Sequence, residues 1–152
     1  MTVTRKPRFV VCEDGHEYLD RFRRFLGESF ELVAAADYAT ARAAAADADG
    51  LLFDLDFRRT PANRLVDEHG PAPPRLSDAA RSRLAETQGI LILRRLRADG
   101  VRLPAILFAD LDDAAQSRFL LETLAPLSIA ASRVGLPEIA ARMRRLLDAS
   151  AP

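Results

Sequence analysis

The chain has no excess of charge of either sign: 22 basic residues stand against 22 acidic ones among 152. A nucleic-acid-binding module needs a basic face, so this balance argues against nucleic acid as a partner of the domain. Cysteine is almost absent. The one thiol, Cys12, lies in an apolar stretch and reads as a small core hydrophobe. With no disulfide framework, a reducing compartment is expected. No apolar run approaches the ~18 residues of a membrane span. Met1 to Arg8 is too short and polar for a secretory leader. The expectation is a cytoplasmic protein without a membrane partner, and the abundant alanine and arginine suggest a GC-rich bacterial genome.

What is present suits a single domain, residues 1–152. Apolar residues make up 49% and charged ones 29%, ordinary values for a globule large enough to bury a real core. Arg8–Cys12 reads as a first strand. His16–Leu26 follows as a helix with Leu19, Phe22, Phe25 and Leu26 on one face, ended by Gly27. Phe30–Ala35 is a second strand. Asp37 can cap a helix over the alanine-rich Tyr38–Ala48, and Asp49-Gly50 turns into a third strand, Leu51–Leu55. The pattern then breaks. Phe57 to Leu76 carries Pro61, Gly70, Pro71, Pro73 and Pro74 and reads as a loop. Ser77 can cap a helix from Asp78 to Ala98. Leu103–Ala109 is a fourth strand, Leu111–Leu124 a helix, Leu127–Ala131 a weak fifth strand and Leu136–Leu147 a last helix. That helix turns Ile139, Met143, Leu146 and Leu147 inward, with Arg142, Arg144 and Arg145 on a solvated face.

Strands alternating with helices predict an α/β fold: a doubly wound five-stranded parallel sheet of flavodoxin-like order 2-1-3-4-5, with helices on both faces. The first and third strands are then neighbours, and their C-terminal ends flank the point where open α/β sheets bind ligands. Both strands run into acids there, Glu13-Asp14 and Asp54-Leu55-Asp56. Clustered carboxylates need a cation, a shared proton or a basic partner. His16 and His69 read as solvated side chains.

In this order the segments resemble a response-regulator receiver (CheY-like) domain over nearly the whole chain. Arg8–Asp14 resembles the family's first strand and acidic pair. Asp49–Asp54 resembles the strand that ends in the phospho-accepting aspartate. Gly89–Arg97 resembles its third helix, Pro104–Phe108 strand four and Leu136–Leu147 helix five. The resemblance implies a phospho-acceptor at Asp54, with Glu13, Asp14, Asp54 and Asp56 available as oxygen ligands for Mg2+. It implies signalling by protein–protein contact, with a histidine kinase as one partner. It also implies a dimer or partner surface made by helix four, strand five and helix five.

The departures are specific. Ala109 stands where the family has Thr or Ser, Ser132 where it has Lys, Arg133 where proline is usual, and Ile129 at the aromatic switch position. Gly89 follows Asp54 by 35 residues (89 − 54), so residues 58–86 read as an insertion after the acidic site. Such an excursion is a lid, a partner-binding surface or a tolerated surface loop. The expectation is a degenerate pseudo-receiver without catalytic activity, its acids neutralised by Arg58, Arg59 or Arg133. A conventional phospho-acceptor is the alternative. A further one is a haloacid-dehalogenase-like phosphatase with Asp54 as nucleophile and Asp56 as general acid. Against that last reading, Phe57-Arg58 stands where that family has Gly-Thr.

Overall fold

The computed structural model describes residues 4–150. Five strands form one parallel sheet, β1 (Arg8–Cys12), β2 (Glu31–Ala35), β3 (Gly50–Asp54), β4 (Ala105–Phe108) and β5 (Leu127–Ala130), in the order β2-β1-β3-β4-β5. Six α-helices join and flank them: α1 (Glu17–Leu26), α2 (Tyr38–Ala45), α3 (Asp78–Glu86), α4 (Gln88–Ala98), α5 (Ala114–Thr123) and α6 (Leu136–Ser150). The predicted sheet order is therefore the observed one. In the register, Cys12 lies opposite Phe53 and Asp54 opposite Phe108, which brings the ends of β1, β3 and β4 level.

A strand sends alternate side chains to opposite faces, and a sheet covered on both faces needs apolar residues at every position. Phe9 and Val11 of β1, Leu52 of β3, and Ile106 and Phe108 of β4 pack with Leu19 and Phe22 of α1 and Ile139 and Met143 of α6. Val10, Cys12, Leu51, Phe53 and Leu107 face the other way, onto Ala41 of α2, Ile92, Leu93 and Leu96 of α4 and Leu120 of α5. Cys12 is buried, and burial pushes its thiol pKa far up, so the thiolate is suppressed.

Several helices start where side chains take up free backbone donors. The Asp37 carboxylate accepts from Thr40 N at 2.8 Å, and Ser77 Oγ from Ala80 N at 3.1 Å, as the sequence suggests. Asp113 accepts from Ala115 N and Gln116 N, so α5 begins at Ala114, three residues later than the helix expected from Leu111.

Three further sequence expectations need correction. Phe25 is 59% exposed, although it was expected on the inner face of α1. At about 100° per residue it lies about 120° around the helix from Leu19, outside the buried stripe, and the Arg24 guanidinium lies over its ring at 5.2 Å. The helix expected over Asp78–Ala98 is two helices broken at Thr87. The break lets Gln88 turn its buried amide onto the backbone of Val66, accepting from its N at 2.8 Å and donating to its O at 3.0 Å. Nor are the α6 arginines simply a solvated face. Arg142 donates to Ile129 O of β5 at 2.8 Å, and Arg144 lies over the Phe30 ring.

The 58–86 segment is folded against the domain. Leu65 and Val66 are buried, a short 3-10 turn covers Ala62–Arg64, and Val66 bridges Pro71. Its two ends meet where Phe57 N donates to Ala85 O and Gly89 N to Leu55 O. The excursion therefore leaves and re-enters the fold at one place, which keeps its closure cost small.

Candidate functional site at the acidic edge of the sheet

Each acid at this edge has a different set of partners. Glu13, just past β1, is only 3% exposed. Its Oε1 accepts from Tyr18 N at 3.2 Å and its Oε2 from Leu19 N at 2.8 Å. His16 precedes α1 without a side-chain cap, so Glu13 reaches forward and takes up the first free donors of that helix. Burial raises the Glu13 pKa, and the two backbone N–H groups oppose the rise.

Asp14 is held by Arg59. Its Oδ2 accepts from Arg59 N at 2.9 Å and its Oδ1 from Arg59 Nη2 at 3.1 Å. The same guanidinium donates to both oxygens of Glu17, through Nη1 at 2.7 Å and Nη2 at 3.0 Å. This contact holds the Glu17 carboxyl down to about 2, and the two carboxylates raise the guanidinium further. Asp56 has its own arginine: its Oδ1 accepts from Arg58 N at 2.9 Å and its Oδ2 pairs with Arg58 Nε at 2.7 Å.

Asp54 closes β3 and differs from the rest. Among the described residues no cation pairs with it. Its Oδ1 accepts from Leu55 N at 2.8 Å. Burial, then the nearby carboxylates of Asp14, Glu13 and Asp56, push its pKa from 3.8 to about 6, against the pull of the Leu55 N–H. Gly89 backs this strand end. A Cβ there would lie 2.0 Å from Asp54 O and 3.1 Å from Leu55 Cα, so only glycine lets α4 begin so close to β3.

The other half of the edge is built differently. Ala109 follows β4, buried, with its N–H on Ala130 O at 2.9 Å. Ser132, past β5, gives its N–H to Asp110 Oδ1 at 3.0 Å and its hydroxyl to Asp110 Oδ2. These bonds lower the Asp110 pKa, with a smaller contribution from Arg133. Ile129, half-buried, and Arg133 line a shallow pocket of about 440 Å3 with Ala109 and Ala131. Lys6, the chain's one lysine, precedes β1 at the opposite end of the sheet and donates to Gly27 O at 2.9 Å.

The structure thus brings Glu13, Asp14, Asp54 and Asp56 to one edge, with Arg58 and Arg59 among them, and sets Ala109, Ser132, Ile129 and Arg133 on the β4–β5 side. His69 lies away from the edge, where its N–H bonds to Asp67. Sequence reading missed Glu17 and Asp110, the residues that complete the two polar clusters. Their signals were slight: an acid in the first turn of α1 and an acid just past β4.

The residues do not fit a divalent ion as they stand. Such an ion needs several carboxylate oxygens turned toward one point. Here those of Glu13 face the α1 backbone, those of Asp14 face Arg59 and those of Asp56 face Arg58. Among the described residues, no group of three or more His, Cys, Asp or Glu side chains is placed to hold a metal.

No family model matches the chain, and no curated protein matches it in sequence. Solved structures do match in fold. The receiver domain of the Francisella response regulator 1452 aligns with TM-score 0.66 and 16% identity, covering 96% of this chain and 100% of that one. A CheY-like receiver domain protein from Methanospirillum hungatei JF-1 gives 0.63 and 16%, covering 95% and 96%. The BeF3-activated receiver domain of Klebsiella pneumoniae RstA gives 0.62 and 20%, covering 92% and 97%. The chain has the CheY-like receiver fold, and Asp54 ends its third strand.

Proposed function

We propose that this chain is a receiver-fold signalling module that works through protein–protein contact and neither accepts nor turns over a phosphoryl group at Asp54. The observation that carries this reading is the make-up of the β4–β5 edge, Ala109 after β4 and Ser132 after β5. Stabilising a phosphoryl group on Asp54 requires positive charge and donors aimed at its oxygens. Ala109 offers a methyl group, and the Ser132 hydroxyl is spent on Asp110. The only lysine lies at the far end of the sheet. The absence of an aromatic at Ile129 also favours a module without the usual aromatic relay.

The contact surface in this reading is the face of α5, β5 and α6. Among the described residues, two of the three exposed large apolar side chains, Phe119 and Leu121, belong to α5. Arg142 ties α6 to β5 through Ile129 O, so the face is preformed. A second copy of the chain or a regulatory protein would cover it.

One observation favours the conventional alternative, phosphorylation of Asp54 by a histidine kinase: Asp54 has neither an arginine, as Asp14 and Asp56 have, nor the pair of helix N–H donors that hold Glu13. The phosphatase alternative lacks such support, because Asp56, its general acid, is engaged by Arg58. The test is to add Mg2+ with acetyl phosphate, then Mg2+ with beryllofluoride, following intact mass and amide shifts. The Klebsiella RstA receiver domain is BeF3-activated, which makes that reagent the natural probe. Unmodified mass and unmoved amides around Asp54 are expected. A phosphoryl adduct, or saturable shifts spreading from β3 to α5, would overturn the reading.

A further inference from the structure

We infer that Arg59 is the resident cation of the acidic edge: a tethered guanidinium that excludes a divalent ion by holding Asp14 and Glu17, and that fastens the 58–86 segment to the β1–α1 loop. The inference concerns cation binding alone and extends the proposed reading by naming what the acids hold in place of a metal.

The geometry is that of a seated group. Arg59 engages Asp14 with both its backbone N–H and Nη2, and Glu17 with both Nη1 and Nη2. Guanidinium groups suit such forked contacts, in which two carboxylates share one planar donor. The Asp14 side chain is 6% exposed while that of Arg59 is 56% exposed. The carboxylate is therefore a fixed group, and the arginine lies over it from the solvent side. The seat has a floor. A Cβ on Gly15 would lie 2.3 Å from Arg59 Nη2, 2.3 Å from Glu17 Oε2 and 2.7 Å from Arg59 Cζ, so the guanidinium and the Glu17 carboxylate lie directly over the Gly15 backbone and would shift if residue 15 carried a side chain.

The chain on either side holds the arginine in place. Thr60, the next residue, is buried and its N–H bonds to Phe57 O at 3.0 Å. Phe57 is fully buried, with its own N–H on Ala85 O. Five residues on, Arg64 Nε meets Asp37 Oδ2 at 2.6 Å, a second contact from this segment to an acid just past β2. The segment after β3 thus supplies an arginine to each of two loops at the C-terminal edge. A cation fixed there has two consequences. It occupies Asp14 Oδ1 while the Arg59 backbone N–H occupies Oδ2, and it repels a second cation at short range, where a protein surface screens less than bulk water.

The test compares the native chain with Arg59→Gln and Arg59→Lys, each titrated with Mn2+ alone. The readout is the paramagnetic broadening of amide signals at residues 12–15 and 53–56. Arg59→Gln keeps donors and removes charge. It is expected to bind Mn2+ at least about tenfold more tightly than the native chain, with Mg2+ competing and with the added Asp14→Asn change abolishing the gain. Arg59→Lys, which keeps a cation, is expected to stay within about threefold of native. Equal Mn2+ affinity in the native chain and Arg59→Gln, both spectra showing a folded domain, would overturn the inference. So would broadening in Arg59→Gln that ignores Asp14→Asn. Neither result depends on whether Asp54 accepts a phosphoryl group. An adduct on the native chain would overturn the proposed function and leave the affinity ratio to decide this inference separately.

Discussion

The two halves of the C-terminal edge of the sheet handle their polar groups in opposite ways. The β1–β3 half gathers acids, and nearly every one has a partner within the chain: backbone N–H groups for Glu13, Arg59 for Asp14 and Arg58 for Asp56. The β4–β5 half presents the methyl of Ala109, a closed pair between Ser132 and Asp110, and Arg133 beside Ala109, which among the described residues does not pair with Asp54. The comparison teaches that the two arrangements belong together physically. Carboxylates gathered at a half-buried edge without an external cation must find internal donors or take up protons. Asp54, which has only the Leu55 N–H, is driven toward protonation, to about 6, and buried Glu13 is raised in the same direction against its two helix donors.

The largest way to break this contrast is at Gly89, which lets α4 approach the end of β3. A methyl group there meets the Asp54 carbonyl at 2.0 Å, and neither backbone can give way cheaply. Gly89→Ala is expected to destabilise the fold by about 3 kcal/mol or more. Urea denaturation followed by circular dichroism would show a lower midpoint. The change should also move amide signals at Asp54 and Leu55 more than those at Ala109 and Ser132. An unshifted midpoint would mean that the β3–α4 approach is loose.

Asp54 gives the next effect, and its sign follows from linkage. Its folded pKa, about 6, lies above the ordinary 3.8, so between about pH 4 and pH 6 the folded state binds more protons than the unfolded state. Stability therefore falls as pH rises through that window, and the full penalty persists above it. Asp54→Asn removes the charge. It is expected to stabilise the domain by about 1–2 kcal/mol at pH 7.5 and to leave stability at pH 4 nearly unchanged. Denaturation of both proteins across this range tests it. Equal gains at both pH values would place the effect outside this titration.

Much of the fold was legible because its determinants are local. Apolar runs such as Leu51-Leu52-Phe53 mark strands buried on both faces, Asp37 and Ser77 mark helix starts, and the alternation of elements sets the topology. The convergence of Glu13, Asp14, Asp54 and Asp56 followed from sheet order alone. The pairing of those acids did not, because it depends on how residues 57–60 turn. Adjacent arginines at 58 and 59 look alike in sequence, yet one pairs with Asp56 two residues back and the other with Asp14, 45 residues back. The break at Thr87 was hidden for a similar reason. The propensity of Asp78–Ala98 favours one helix, whereas the contacts of Gln88 with Val66 and of Gly89 with Leu55 favour two.

The smallest effect sharpens the comparison most, because it applies the same chemical change to the other half of the edge. Asp110 accepts the Ser132 N–H and hydroxyl, and these bonds lower its pKa below 3.8. A carboxyl depressed on folding stabilises the fold above its unfolded pKa, and that contribution is lost as pH falls through the folded value. Asp110→Asn should therefore lower stability slightly at pH 7.5 and matter progressively less as pH falls below 3.8, the reverse of Asp54→Asn. The group is exposed, so the change will be modest and weakened by salt. The sign is what counts, because one carboxylate is stabilised by its neighbours in the fold and the other is tolerated against them. If both amide substitutions stabilise the domain, the β4–β5 half is strained as well, and the Asp110–Ser132 pair is not the settled replacement that its geometry indicates.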